Sequence, residues 1–253
     1  MTDPAPTPSA SIAPAGGRPP LQLWDVDLLL GRDPVADVRV DEADLRGWVG
    51  PVVRSGVLGS LRALAFDAAS GNAEVAETAL ALGLVPALAL ETRDWLGARD
   101  ALDAAPAGTI VRLAPQRQDC QPSFPGFRAI VRVCAERGFP VLAEGDVRAW
   151  GPAYAGLGLR VVFLDAHFYH LGDFVSLAAD EPGFAASTRL LNGPDSLAIV
   201  VDELGVDRLV FGSRTGFHEG SSAVSRLVTS ALGETELVAA ASGTLRRLLG
   251  VAA

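Results

Sequence analysis

The sequence predicts one α/β domain folded as a (β/α)8 barrel. The chain has 253 residues, of which 49% are hydrophobic, and this is enough to bury a large core. After residue 20, short apolar runs alternate with helical stretches, and eight such units within about 230 residues match a barrel of parallel strands. A doubly wound open sheet is the competing fold, which usually has a glycine-rich phosphate turn after its first strand. The turn here is Gly31-Arg32-Asp33-Pro34, without a G-x-G-x-x-G pattern, so the barrel is favoured.

The predicted strands are the short apolar runs of the sequence. In chain order they cover residues 21–30, 58–66, 85–90, 109–113, 140–143, 159–164, 184–190 and 208–211. Because helical stretches separate these runs, neighbouring strands are expected to lie parallel in one sheet.

The predicted helices cover residues 42–54, 72–82, 95–104, 124–136, 171–179, 194–204, 221–232 and 234–249. Three residues support their ends. Asn72 is a favourable N-cap residue, and Gly138 is a suitable C′ glycine for the helix that precedes it. Pro194 is placed in the first turn of its helix, where proline is tolerated.

The charged residues exclude several classes of function. The net charge is −9 at pH 7, so we expect no basic face for nucleic acid and no attraction to anionic membranes. All 21 basic residues are arginine. The absence of lysine excludes Schiff-base chemistry, a P-loop lysine and a carboxylated-lysine metal bridge.

The ends of the chain and its cysteines indicate a cytoplasmic protein. Residues 1–20 are rich in proline, alanine and serine, which predicts a disordered tail before a barrel over residues 21–253. The sequence shows no signal peptide and no apolar run long enough for a membrane helix. Cys120 and Cys134 are too few for a disulfide framework or a zinc knuckle, and Cys134 fits a buried free thiol.

Six segments spread over residues 23–251 together resemble those of a known family. They are WDVDLLLGRDP, GNAEVAE, AERGFPVLAEG, GLRVVFLDAHFYH, VDRLVFGSRTGF and TLRRLLGV. The ensemble resembles the amidohydrolase-related TIM barrels of the amidohydrolase 2 type, a family of metal-dependent hydrolases and decarboxylases. The resemblance implies the barrel fold over nearly the whole folded part of the chain.

The chain departs from this family at the positions of the metal ligands. Asp27 and Leu29 stand where the resemblance implies the two histidines of the first strand. Glu144 and Asp165 stand at the histidine positions of the fifth and sixth strands, and Arg214 replaces the aspartate that binds metal and acts as the base. Because the usual zinc site needs imidazoles and an aspartate, these positions do not build it. The sequence therefore predicts a divergent member that lacks the metal site.

Four of these residues are expected to share one pocket, because the carboxyl ends of barrel strands line the same face. Asp27, Glu144, Asp165 and Arg214 together carry a net charge near −2. One interpretation is an inert cluster in which Arg214 replaces the positive charge of the metal. Another makes the three carboxylates catalytic acids or bases and Arg214 the anchor of a substrate carboxylate or phosphate. A third places Mg²⁺ or Mn²⁺ on the carboxylates, although Arg214 competes with the cation.

The three histidines are further candidates for substrate binding. His167 and His170 follow the sixth strand, and His218 lies in a loop after the eighth strand, on the side of the pocket. Each is also compatible with a packing or surface role. Ser213 lacks a G-x-S-x-G elbow and a histidine beside it in sequence, so a structural role is favoured over a nucleophile.

The predicted pocket residues are compatible with two functions. The first is metal-independent binding or acid–base turnover of a small polar or carboxylated molecule, by a hydrolase or lyase if it is an enzyme. The second is a non-catalytic subunit that partners an active homologue. No cofactor is expected, with a divalent zinc, manganese or magnesium ion as the alternative. A homo-oligomer or a hetero-oligomer with a related barrel is expected, by analogy with the family.

Overall fold

The computed structural model describes residues 21–250 and contains a sheet of nine strands. In chain order they are β1 (Leu23–Asp33), β2 (Val38–Val40), β3 (Val53–Ser60), β4 (Val85–Ala89), β5 (Ile110–Leu113), β6 (Val141–Ala143), β7 (Val161–Phe163), β8 (Phe184–Ser187) and β9 (Leu209–Val210). Eight strands are parallel, whereas β2 pairs antiparallel with the end of β1. The predicted tail, residues 1–20, lies outside the described residues.

The parallel strands follow one another in sequence order around a closed ring. The backbone N–H of Val26 in β1 donates to the carbonyl oxygen of Phe211, directly after β9, at 3.0 Å. This bond joins the first parallel strand to the last one. The prediction of a (β/α)8 barrel is therefore confirmed.

Helices cover the outside of the barrel. They are α1 (Glu42–Trp48), α2 (Leu61–Ala65), α3 (Ala68–Leu82), α4 (Trp95–Ala104), α5 (Pro125–Glu136), α6 (Val147–Tyr154), α7 (Leu171–Ala179), α8 (Ser196–Leu204), α9 (Gly220–Val228), α10 (Glu234–Val238) and α11 (Thr244–Leu248). A π-helical turn, Ala239–Gly243, connects α10 to α11. Within residues 21–250 we find no helix with the length and apolar character needed to cross a membrane.

Several predicted boundaries were wrong. The second parallel strand is Val53–Ser60, and residues 61–65 form α2 because the Ser60 hydroxyl accepts the backbone N–H of Ala63 as an N-cap. The helix predicted over 42–54 ends at Trp48, since the chain must enter that strand. Residues 147–154, for which no helix was predicted, form α6 after the N-cap Asp146. Helix α8 begins at Ser196, after Pro194 rather than at it.

Asn72 was predicted to cap a helix but has another role. Helix α3 begins at Ala68, and Asp67 is its N-cap. Asn72 lies within the helix, where its amide donates to and accepts from the backbone of Ala89 at 2.8 and 3.0 Å. Its side chain therefore connects α3 to the end of β4 by hydrogen bonds. Gly138 does follow α5 with a left-handed φ of 64°, as a C′ glycine requires.

Each parallel strand contributes one apolar side chain to a layer inside the barrel. These residues are Val26, Val57, Ala87, Ile110, Leu142, Val162, Ala185 and Val210. Side chains of a strand point to the same face at every second position. Arg112 follows Ile110 by two positions and Glu144 follows Leu142 by two, so both also project inwards. A charged layer thus lies on the apolar one, towards the carboxyl ends of the strands.

Candidate functional site

The barrel brings together four predicted site residues that are far apart in the sequence. Asp27 lies in β1, and Glu144, Asp165 and Arg214 follow β6, β7 and β9. Arg214 forms ion pairs with all three carboxylates, at 2.9 Å to Asp27, 3.4 Å to Glu144 and 3.6 Å to Asp165. Leu29, at the other expected ligand position, is a buried core residue.

Two further arginines, which the sequence analysis missed, complete the group. Nη2 of Arg112, in β5, lies 2.7 Å from carboxylate oxygens of both Asp27 and Glu144. Nε of Arg189, after β8, lies 3.3 Å from Asp27, and its Nη2 forms a close ion pair with Asp165. We call these three carboxylates and three arginines the carboxylate–arginine cluster. The signal in the sequence was an arginine inside, or directly after, a short apolar strand.

Arg112 fits inside the barrel because Gly59, in β3, has no side chain. A Cβ atom at position 59 would lie only 2.9 Å from Nη1 of Arg112. The guanidinium is completely buried, so its charge requires the two carboxylates that it contacts. A glycine in a buried strand is therefore part of how the site is built.

The cluster is balanced in charge, which corrects the predicted net charge near −2. That prediction counted three carboxylates and Arg214 alone, whereas the three arginines of the cluster bring the formal sum to zero. Hydrogen bonding is less complete than charge pairing. Buried atoms Nη1 of Arg112, Nε of Arg189 and Nη2 of Arg214 have no hydrogen-bond partner among the described residues.

The arginines determine which carboxylates stay ionised. Burial alone would raise the pKa of Asp27 and of Glu144, but the neighbouring guanidiniums, Arg214 first, outweigh it and lower both pKa values. At Asp165 burial, helped by the negative charge of Glu144, prevails over the arginines and raises the pKa. Within the cluster, Asp165 is therefore the carboxylate best suited to exchange a proton.

Arg214 reaches the cluster through an unusual backbone conformation. Its φ of 52° lies in the left-handed region, which costs a residue with a Cβ atom about 1 kcal/mol or more. The ion pairs of its guanidinium, whose pKa the three carboxylates raise against the effect of burial, hold it there. Arg214 does not line the open cleft that lies beside the cluster. Its contacts are to the cluster carboxylates.

A second buried carboxylate group lies next to the cluster. Asp25 in β1 is fully buried and accepts hydrogen bonds from the backbone N–H groups of Asp27 and Ser213, at 2.9 and 3.1 Å. The Ser213 hydroxyl donates a close hydrogen bond to the same carboxylate. Ser213 therefore has the structural role that the sequence favoured. Burial raises the pKa of Asp25 to about 6, although the Ser213 hydrogen bond opposes the rise.

Asp25 is expected to make folding stability pH-dependent. A carboxyl group with a raised pKa in the folded state lowers the free energy of unfolding as pH rises from the unfolded value towards about 6. Ser213→Ala removes a hydrogen bond to the charged form, so we expect a loss of about 2 kcal/mol at pH 8 but only about 1 kcal/mol at pH 4. Urea unfolding at both pH values measures this difference.

The control is Thr229→Ala, which removes an exposed hydroxyl that donates to the backbone carbonyl of Ser225 in α9. Its effect should be small and equal at the two pH values. An equal loss for Ser213→Ala at pH 4 and pH 8 would show that the hydroxyl does not stabilise an ionised Asp25.

A cleft of about 500 Å³ opens beside the cluster, and Glu144 and Asp165 border it. His167 and His170, two of the predicted binding residues, line the same cleft. His218 does not line it, and its Nε2 lies 3.5 Å from Nη1 of Arg189. Burial, then the nearby arginines, lower the pKa of His218, which favours the neutral ring.

The residues of the cluster do not fit the metal ion that the family resemblance implies. Their donor set has no imidazole. Each carboxylate already forms ion pairs with at least two guanidinium groups. A divalent cation placed among these carboxylates would lie close to three positive side chains. Within residues 21–250, no group of three or more histidine, cysteine, aspartate or glutamate side chains is arranged to hold a metal ion.

Comparisons of the sequence with known proteins give no match. No protein-family model matches the chain, and no curated protein matches it. The similarity of this chain to known proteins lies in its three-dimensional structure.

The structure is similar to several solved barrels at low sequence identity. A dihydroxybenzoic acid decarboxylase of Polaromonas sp. JS666, with bound manganese, superposes with a TM-score of 0.69 at 12% identity, over 91% of this chain and 97% of that one. The 2,6-dihydroxybenzoate decarboxylase of Rhizobium gives 0.67 at 12% identity, over 91% and 99%. Amidohydrolase 2 of Bifidobacterium longum subsp. infantis gives 0.67 at 17% identity, over 92% and 100%. The chain therefore has the same barrel fold as these three proteins, and this is the fold that the sequence resemblance implied.

Proposed function

We propose that the protein binds a small polar molecule, without a metal ion, in the cleft beside the carboxylate–arginine cluster. The observation that supports this is the charge balance of the cluster next to an open cleft. The arginines supply the positive charge that a metal ion would supply at the barrel mouth. Glu144 and Asp165 still border about 500 Å³ of open space. A cleft of this size is typical of a small-molecule site.

Turnover of the bound molecule would depend on Asp165. Asp27 is buried and paired with arginines, which hold it ionised and leave it no proton to donate near neutral pH. The Asp165 side chain is 23% exposed, borders the cleft and has a raised pKa. It is the cluster member that can reach both a ligand and solvent protons, so a proton transfer to or from the ligand is assigned to it.

The metal-independent part of the proposal is tested by metal content. Protein expressed in metal-supplemented medium and purified without chelator should hold less than about a tenth of an equivalent of zinc, iron or manganese. Plasma mass spectrometry measures this, with a known zinc protein purified in parallel as the control. The unfolding temperature should be the same with and without EDTA, because a metal bound only to the folded state would stabilise it. A near-stoichiometric metal ion that EDTA removes with loss of stability would overturn the proposal.

A second candidate function is that of a non-catalytic subunit, paired with another copy or with a related barrel. The observation in its favour is that every carboxylate of the cluster is already paired with an arginine, as a purely structural role requires. Light scattering during size-exclusion chromatography tests self-association. A monomer at all concentrations would remove the homo-oligomer and leave only pairing with a related barrel.

A further inference from the structure

The charged side chains that line the cleft are compensated by neighbours. Glu144 and Asp165 are balanced by the arginines of the cluster. Both carboxylate oxygens of Asp146 accept from Arg148, at 2.6 to 3.1 Å. Arg117, the cationic residue of the lining, forms a close ion pair with Asp33, which is 1% exposed. A ligand with a net charge would therefore bring an unpaired charge into a balanced site.

The lining also offers hydrogen-bonding groups of both kinds. Nδ1 of His167 accepts the backbone N–H of Tyr169 at 3.2 Å, so the proton of the neutral ring lies on Nε2, a donor. Oε1 of Gln116 accepts the backbone N–H of Asp146 at 3.1 Å, which leaves its NH₂ group as a donor. Oε1 of Glu144 accepts from Arg112, whereas its Oε2 is in an ion pair with Nη2 of Arg214 at 3.4 Å but accepts no hydrogen bond from that atom, so it can still accept one. Residues with hydrogen-bond donors and a residue with an acceptor thus line the same cleft.

The imidazole of His167 is held in place by its neighbour. Its ring stacks on that of Tyr169, with centroids 5.1 Å apart and planes within 8°. The stack and the hydrogen bond to Nδ1 together fix the direction of the Nε2 donor. A fixed donor loses little conformational freedom when it binds a ligand.

We propose that the ligand of this cleft is an uncharged molecule with several hydroxyl groups, an inference that rests on the proposed function. Each hydroxyl both donates and accepts, so neighbouring hydroxyls satisfy His167 Nε2, the Gln116 amide and Glu144 Oε2 at the same time. The absence of net charge keeps the surrounding ion pairs balanced. This differs from the carboxylated ligand for which Arg214 was the predicted anchor.

Three probes that share a hydroxylated carbon chain but differ in charge test the inference. They are D-sorbitol, which is uncharged, D-gluconate, which is anionic, and N-methyl-D-glucamine, which is cationic. Titration of the ¹⁵N-labelled full chain at pH 7.5 follows the amide of Gly145, whose N–H donates to Asp165 in the cleft lining at 2.8 Å. We expect sorbitol to shift this amide saturably, and the two charged probes to bind at least about tenfold more weakly.

Variants on one loop localise the binding. Gln116→Ala removes a lining donor and should weaken sorbitol binding about tenfold. Gln121→Ala is the matched control, since Gln121 is exposed in the same loop and does not line the cleft. The control should bind sorbitol as the unchanged protein does.

The outcomes separate this inference from the proposed function. Tighter binding of gluconate or glucamine that Gln116→Ala weakens would overturn the uncharged class and leave a small-molecule site in the cleft. No saturable shift with any probe would also overturn the inference. A stoichiometric metal ion would overturn the proposed function, whatever the sorbitol result.

Discussion

Arg112→Met should lower the free energy of unfolding by about 3–5 kcal/mol, the largest effect expected for a single substitution here. The change removes a completely buried guanidinium and keeps an apolar side chain of similar length. Glu144 then loses two contacts with Arg112, at 2.7 and 2.8 Å, and Asp27 loses one at 2.7 Å. Urea unfolding at pH 7 measures the loss. The control is Arg46→Met, which breaks an exposed helical pair with Glu42 and should cost less than about 1 kcal/mol.

The loss caused by Arg112→Met should itself depend on pH. Asp27 and Glu144 have lowered pKa values in the folded protein, so their ionised forms contribute stability that is lost as pH falls below about 4. Without Arg112 both pKa values rise, and at pH 4 a stranded carboxyl group can take up a proton. The difference from the unchanged protein should therefore be smaller at pH 4 than at pH 7.

Adding Glu144→Gln to Arg112→Met should restore part of the stability at pH 7. If Arg112→Met costs under about 1 kcal/mol, the cluster does not hold the barrel mouth together.

Arg214→Ala should destabilise the protein by about 3 kcal/mol, because it removes ion pairs to three carboxylates. Arg214→Gly should cost about 1 kcal/mol less than Arg214→Ala. The reason is the φ of 52° at this position, which glycine adopts without steric strain. Thermal or urea unfolding of the two variants gives both numbers.

Asp119 provides a matched backbone control. It also has a positive φ, of 51°, but it is exposed and lies outside the cluster. The difference between the alanine and glycine variants should be similar at positions 119 and 214, while only position 214 shows the large loss. Arg214→Ala with near-normal stability but lost ligand binding would instead make Arg214 a ligand-binding residue, which is the role predicted for it in an active pocket.

Part of the site could be predicted from strand ends alone. Glu144, Asp165 and Arg214 each follow the carboxyl end of a predicted strand, and a parallel barrel places such residues on one face. Asp27 lies within the predicted strand 21–30, and the family resemblance placed it with the other three. Their proximity follows from the fold, so it did not require knowledge of any contact. Their catalytic and binding roles remain predictions.

The other part could not be predicted, because it depends on which way strand residues face. Arg112 lies within an apolar run, and nothing local distinguishes an inward arginine from an outward one. The register of β1 against β3 shifts between Asp25 and Leu28, which changes the alternation of side chains there. Simple counting along β1 therefore does not place Asp27 correctly.

The sequence by itself determined the barrel, through the alternation of apolar runs and helical stretches, and the charged residues that follow its strands, through residue identity. Only the tertiary structure decided that the mouth of the barrel is electrically neutral. Periodicity reports on residues a few positions apart, whereas the hydrogen bonds of the cluster join side chains 24 to 187 positions apart. Charges neutralise one another according to distance in space, and for these side chains that distance is set by the closure of the barrel.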